Sequence, residues 1–244
     1  MIERQVDVTT RHGLMPSFVA HPDGAGPWPA IIFYMDAPGI REELRNHARR
    51  IARQGYFCIL PDMYYRIGTV RFDLVRRDEA MSTVVRAARR TLTDAAVNDD
   101  TASLLSFLDG QDRVIPGPVG MIGHCMSGRY ITTTAARFPD RIKAAASLYG
   151  VDLVDDQPSS PHLNLGSIQA ELYYGFGDRD KSTPPDYLKA FRAALKKSKL
   201  KVEMDVFQDT EHGYCFAERS AYNPVAAEAS WGKIFNLWER NLKH

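Results

Sequence analysis

Val119-Gly120-Met121-Ile122-Gly123-His124-Cys125-Met126-Ser127-Gly128-Arg129 is the stretch that decides how this chain is read. Its first part, 119–124, is a short apolar run that suits a buried strand. Helical periodicity then covers 127–138 and stops at Pro139. The backbone has to turn sharply between the two, and only small residues tolerate the close backbone approach such a turn imposes. Gly123 stands two before Cys125, and Ser127 and Gly128 stand two and three after it. Strand, tight turn and helix thus present Cys125 at the apex, where a G-x-S-x-G nucleophile turn carries its serine.

Chemistry favours a thiol at that point. Unpaired N–H groups and the dipole at a helix N-terminus stabilise a thiolate. The backbone N–H of Met126 would point to where an oxyanion develops. Ser127 is the rival nucleophile, but the residue two beyond it is Arg129, too bulky for the turn. The bland alternative is that Cys125 is a small buried filler. Cys58 sits mid-strand between Phe57 and Ile59 and reads as core, and Cys215 reads as packing near the site.

Outward from this turn, strand and helix patterns alternate along the whole chain. Two alternating segments, 5–9 and 15–21, flank His12-Gly13 and predict an antiparallel hairpin. Strands are expected at 30–35, 56–60, 119–124, 143–149, 170–176 and 201–207. Helices are expected at 41–54, 127–138, 185–197 and 225–243. Periodicity over 78–110 suggests two helices broken near Asn98-Asp99-Asp100. The pattern implies a single α/β domain over 1–244, with a mostly parallel central sheet flanked by helices on both faces.

Composition fits that class: 244 residues, 44% hydrophobic and 25% charged, enough apolar material for a substantial core. With 31 basic and 30 acidic residues the net charge is +1, which provides no field to recruit nucleic acid or an anionic membrane. Arg86, Arg89 and Arg90 read as a solvated helix face. No apolar run approaches the roughly 20 residues of a membrane helix, and no signal peptide is legible at the N-terminus. Three widely spaced cysteines match neither a disulfide framework nor a zinc spacing, so a cytoplasmic setting without metal is expected. Oligomeric state is not legible.

A cysteine nucleophile needs a base, and the base needs an orienting acid, in the chain order nucleophile, acid, histidine. Of the seven histidines, His212 follows a late strand inside the turn-like Asp209-Thr210-Glu211-His212-Gly213-Tyr214. His12, His21 and His47 precede the nucleophile, His124 adjoins it, His162 lies in a polar loop, and His244 ends the sequence. The acid should lie in Gly177-Asp178-Arg179-Asp180, where both aspartates are available.

Four segments carry a family resemblance. Gly123-His124-Cys125-Met126-Ser127-Gly128 resembles the nucleophile turn of the dienelactone hydrolase family, a cysteine-using branch of the α/β-hydrolases. Pro61-Asp62-Met63-Tyr64 resembles its P-D-L-Y, Gly177-Asp178-Arg179-Asp180 with Pro184 its G-x-x-D-x-x-x-P, and His212-Gly213-Tyr214 its H-G-F. The resemblance implies an α/β-hydrolase fold and hydrolysis of a small ester or lactone through an acyl-cysteine, without cofactor. It places the acid on Asp180. It also implies that Asp36, in Met35-Asp36-Ala37-Pro38-Gly39, contacts the nucleophile, and that the Ala37 N–H is a second oxyanion donor. Where the family has a substrate-binding arginine, four residues after the histidine, this chain has Phe216, and the nearest arginine is Arg219. An acyltransferase on the same triad and a catalytically silent small-molecule binder are the competing readings. Tyr34, Tyr64, Tyr65, Tyr149 and Tyr214 are candidates either for an aromatic pocket or for core.

Overall fold

Gly13 adopts a φ of 123°, and the turn it makes joins β1 (Ile2–Thr10) to β2 (Gly13–His21) in an antiparallel pair. This hairpin is longer than the alternation predicts, because the ladder runs on through Ile2 and His21 at its open end. The computed structural model describes residues 1–243 apart from the Val75 side chain; His244 lies outside the described residues. The chain divides into two units, Met1–Gly117 and Pro118–His244.

In the first unit β2 also pairs antiparallel with β4 (Phe57–Pro61), which pairs parallel with β3 (Trp28–Tyr34). Every residue of β4 is buried, in keeping with its unbroken apolar sequence. Helix α1 (Glu42–Arg53) lies between β3 and β4 in sequence and buries the stripe Leu44, Ala48, Ile51 and Ala52. Glu42 and Glu43 in its first turn and Arg50 and Arg53 in its last complement the helix dipole. Gly55 follows with a φ of 87°, the left-handed residue that closes a helix C-terminus.

The helical stretch that follows is two helices, α2 (Glu79–Arg89) and α3 (Asp94–Asp109). Their break falls at 90–93, not at Asn98-Asp99-Asp100 as the polar run suggests. Asp78 and Thr93 cap them, accepting from the N–H groups of Met81 and Ala96 at 2.7 and 3.1 Å. Asp100 stays inside α3 because Arg66 grips both of its carboxylate oxygens at 2.7 Å and the Tyr65 hydroxyl donates at 2.8 Å. Arg86 remains on an exposed face, paired with Glu79.

The second unit is wound in parallel. Strand β5 (Val114–His124), whose first residues belong to the first unit, starts earlier than predicted and runs through Pro116 and Pro118. It pairs with β6 (Ile142–Leu148), β6 with β7 (Glu171–Gly177), and β7 with β8 (Val202–Phe207). Helices α4 (Ser127–Arg137), α5 (Pro185–Ser198) and α6 (Pro224–Leu242) alternate with them, and α4 and α6 pack on β6. A 3-10 segment at Pro161–Ser167, which includes the His162 that the sequence places in a polar loop, precedes β7. From α6, Trp231, Ile234, Leu237 and Trp238 are buried; full burial of a side chain such as Ile or Leu is worth about 1.5–3 kcal/mol.

The register aligns the carboxyl ends of these four strands: His124 lies beside Leu148, Leu148 beside Gly175, and Gly177 beside Phe207. Side chains that follow the strand ends therefore gather at one edge, where parallel α/β sheets place their ligands. Cys125, Tyr149, Asp180 and His212 all follow such ends.

Candidate active site

Cys125 has a φ of 55°, a left-handed conformation that non-glycine residues rarely adopt. The turn is locked on three sides. Its N–H donates to the Leu148 carbonyl at 3.0 Å, and its own carbonyl accepts from Gly128 at 3.0 Å and Val151 at 3.1 Å. The small flanking residues are required by contact. A Cβ on Gly123 would lie 2.8 Å from Ile131 and from the Ser127 side chain, and one on Gly128 would lie 2.8 Å from Ser147 Oγ and closer still to Gly150 Cα. Met126 caps α4 from a helical conformation, and Ser127 begins it fully buried. Arg129, in the first turn of α4, straps down the loop after β6 through Asp155 (3.0 Å) and the Ser159 carbonyl and hydroxyl (both 3.1 Å).

Asp180 and His212 meet although 32 residues separate them: Asp180 Oδ2 accepts from His212 Nδ1 at 2.7 Å. Glycines at the end of β7 make this approach possible. A Cβ on Gly177 would lie 2.7 Å from the Thr210 carbonyl carbon, and one on Gly175 would lie 2.6 Å from the Tyr214 hydroxyl. Main chain then ties the two turns together, with Asp178 N–H donating to Phe207 O and Arg179 N–H to Thr210 O, each at 3.0 Å. Asp178 is exposed, and its carboxylate accepts from Thr210 N–H at 3.1 Å. It therefore fastens the turn while Asp180 reaches the histidine. Asn223, the cap of α6, secures the loop from its far side by donating to Thr210 Oγ1 at 2.9 Å.

Cys125 lies within hydrogen-bonding reach of the same imidazole. Burial works against a charged His212, but the negative charge of a Cys125 thiolate, together with the hydrogen bonds to Asp180 and Cys125, pushes its pKa up to about 10. Burial likewise works against a charged Asp180. The hydrogen bond and charge of His212 outweigh it, aided by the Ser182 N–H at 2.8 Å, and hold the carboxyl below the ordinary range. A thiol, an imidazole and a carboxylate in this order can form a thiolate–imidazolium pair oriented by a buried anion.

One aromatic ring meets His212, and others pack against that ring. Tyr149, at a φ of 42°, sets its ring 5.1 Å from His212 and 5.1 Å from Tyr214, and 5.5 and 6.0 Å from His124 and Phe216. Phe216 is buried 4.9 Å from the His124 ring, and the Arg219 guanidinium lies 5.2 Å over it. Arg219 is also pressed against Gly213, where a Cβ would meet its Nη1 at 2.8 Å, so a cation stands beside the residue that follows His212. Sequence spacing puts Phe216 at the family's arginine position and names Arg219 only as the nearest arginine; its proximity comes from the loop's curl. Cys215 is buried, and Cys58 is buried in β4 with its thiol pushed up by burial. Tyr34 and Tyr64 are buried, and Tyr65 hydrogen-bonds Thr10 and Asp100.

Asp36 and Ala37 lie in the first unit, just past β3. Asp36 is fully buried, and its two carboxylate oxygens are gripped by the two terminal nitrogens of Arg41. Its carbonyl accepts from Gly39 N–H at 2.9 Å, and the Tyr64 hydroxyl donates to Ala37 O at 2.8 Å. The Asp36-Ala37-Pro38-Gly39 turn is thus held at several points. Among the described residues no cluster of three or more histidine, cysteine or acidic side chains could hold a metal ion, and no helix is long and apolar enough to cross a membrane.

The chain is similar to known proteins over nearly its whole length. A Synechocystis sp. protein named "Putative carboxymethylenebutenolidase" is 27% identical over 241 residues, covering 98% of this chain and 96% of its own. The solved structure of a "Putative Dienelactone Hydrolase" from Klebsiella pneumoniae subsp. pneumoniae superposes with a TM-score of 0.88 at 25% identity, covering 98% of both chains. A dienelactone hydrolase-like promiscuous phosphotriesterase from metagenomic libraries shares the fold, with a TM-score of 0.82 at 20% identity over 99% of this chain and 98% of that one. The family model for the dienelactone hydrolase family matches residues 15–242. With its α/β-hydrolase architecture and a match over nearly its whole length, the chain belongs to the dienelactone hydrolase family.

Proposed function

We propose that the chain hydrolyses a small ester or lactone through an acyl-cysteine intermediate, with Cys125 as nucleophile, His212 as general acid and base, and Asp180 as the group that orients His212. The observation that carries the reading is the single hydrogen-bonded line from a strained turn cysteine through His212 to buried Asp180. Cys125 sulfur attacks the carbonyl carbon, and the carbonyl oxygen becomes an oxyanion held by the Met126 N–H. One such donor is worth about 3–4 kcal/mol where it has been measured. Collapse breaks the bond to the leaving oxygen, which takes the proton from His212. A water molecule then gives a proton to His212 and attacks the thioester, and the carboxylic acid departs as Cys125 is restored. Arg219, set against Gly213 and over the Phe216 ring, is the cation assigned to a substrate carboxylate, so substrates bearing one are favoured over neutral ones.

A panel of aryl esters, simple lactones and dienelactone, assayed with wild type and Cys125→Ala, tests the reading. Turnover lost in the variant, with a wild-type acyl adduct on the Cys125 peptide by mass spectrometry, is the expected result. Undiminished turnover by Cys125→Ala overturns it. Arg219→Ala should raise KM roughly tenfold or more for carboxylated substrates, as loss of a charge-assisted contact does, and leave neutral esters unchanged.

A further inference from the structure

Tyr149 occupies a position where its backbone would favour another residue. Its φ of 42° lies in the left-handed region, which costs a non-glycine residue about 1–2 kcal/mol. Tight packing enforces the conformation. The Tyr149 N–H donates to Gly175 O at 2.7 Å, and next in sequence Gly150 lies so close to the nucleophile helix that a Cβ on it would meet Gly128 Cα at 3.0 Å. Glycine would relieve the strain at 149, yet a fully buried tyrosine stands there. Strain retained at a site points to a use for the side chain.

The side chain meets the base. Hydrogen bonds to Asp180 and Cys125 hold the imidazole at two points but leave its ring plane able to swing about the line between them. The Tyr149 ring, 5.1 Å away and inclined at 64°, restricts that swing. It is wedged in turn by Tyr214, Phe216 and His124. Behind it the Tyr214 hydroxyl bonds Ser230 Oγ at 2.8 Å, anchoring the cage to α6.

We propose that Tyr149 is a positioning residue for His212, its ring holding the imidazole in the orientation that serves both Asp180 and Cys125. The inference rests on the proposed roles of Cys125 and His212. The charged groups around the imidazole are Asp180 and Cys125, which bond it, and Arg219, set against the following Gly213. Tyr149 adds no charge, so its removal acts through geometry.

The test compares Tyr149→Phe with Tyr149→Leu, reading kcat and KM on the best ester of the panel and the pH dependence of Cys125 alkylation by iodoacetamide. Alkylation reports the thiolate directly and needs no substrate. Tyr149→Phe keeps the ring and should stay close to wild type in both readouts. Tyr149→Leu should lower kcat roughly 10- to 100-fold, part of what a positioned base contributes, with KM little changed. Its alkylation profile should move to higher pH by about one unit as the thiolate loses its imidazolium partner. If Tyr149→Leu does not fold, Tyr149→Met supplies the same comparison. A leucine or methionine variant with wild-type kcat and alkylation profile overturns the proposal, as does a phenylalanine variant as impaired as leucine. Wild-type Cys125 alkylating like an ordinary thiol would instead strike at the triad itself, and this inference would fall with it.

Discussion

Gly128→Ala should damage stability and chemistry together, and the structure gives the scale. Gly128 lies in the first turn of α4, where alanine would ordinarily be favoured over glycine by up to about 1 kcal/mol. The added methyl would sit 2.8 Å from Ser147 Oγ and 3.1 Å from the Gly150 carbonyl carbon, with Gly150 Cα nearer still. Carbon contacts are comfortable at about 3.5–4.0 Å, so the helix and the loop after β6 must part by roughly an ångström. Two of the three neighbours are backbone and cannot rotate away. Overpacking of this kind costs about 1–3 kcal/mol, and rigid partners put this site at the upper end. Net of the helix term, a loss of about 2 kcal/mol is expected, or some 4–8 °C in Tm for a chain of this size. The parting also moves the Val151 N–H that holds the Cys125 carbonyl, and a shift of this size at a reacting centre can cost about 100-fold in kcat. Urea unfolding and ester turnover measure the two effects. Gly232→Ala, on an exposed turn of α6 with nothing within 4 Å of the added carbon, is the control and should stabilise by about 0.5–1 kcal/mol. A Gly128→Ala protein as stable and active as wild type would refute the close-packing account of the turn.

Three further outcomes are expected. Asp180→Asn should lose on the order of 10⁴ in kcat, the scale seen when the acid of a triad is neutralised, while Asp178→Asn loses far less; the reverse ranking would reassign the acid. NMR titration should find His212 still charged well above its ordinary 6.5, with a midpoint near 10, and Cys125→Ala should bring the midpoint down by removing the thiolate charge. Because the folded value is raised, this charge stabilises fully below about pH 6.5 and its contribution fades as pH climbs through 10; an unchanged midpoint in the variant would contradict the proposed pair. Asn223→Ala removes both the α6 cap and the bond to Thr210, so a loss of about 1–2 kcal/mol is expected by thermal unfolding, with a fall in kcat as the His212 loop loosens.

The turn around Cys125 is readable because steric demand leaves a mark in sequence: only small residues fit at 123, 127 and 128, and the contacts at Gly123 and Gly128 bear that out. Asp180 and His212 are readable because they follow strand ends in order, though the choice against Asp178 comes from resemblance. Other features depend on partners far along the chain. Asn98-Asp99-Asp100 looks like a helix break, yet Arg66, 34 residues away from Asp100, supplies the charge that keeps the helix intact. The apolar run predicts a strand from Val119, yet β5 begins at Val114 and carries Pro116 and Pro118. Arg219 is masked by counting from the histidine, since the loop curls it back over Phe216.

The cross-tied turns after β7 and β8 carry a lesson for anyone redesigning this protein. Peptide groups of Asp178 and Arg179 are fastened to Phe207 and Thr210, and the Asp178 carboxylate returns the bond to Thr210. Asp180 and His212 therefore travel as one cassette: grafting either loop from a homologue alone would import half of a fitted joint. Transplanting 177–180 with 207–212 as a matched set preserves the fit, while variation in pocket shape is better sought beyond Tyr214, where the chain leaves the joint and turns toward Arg219.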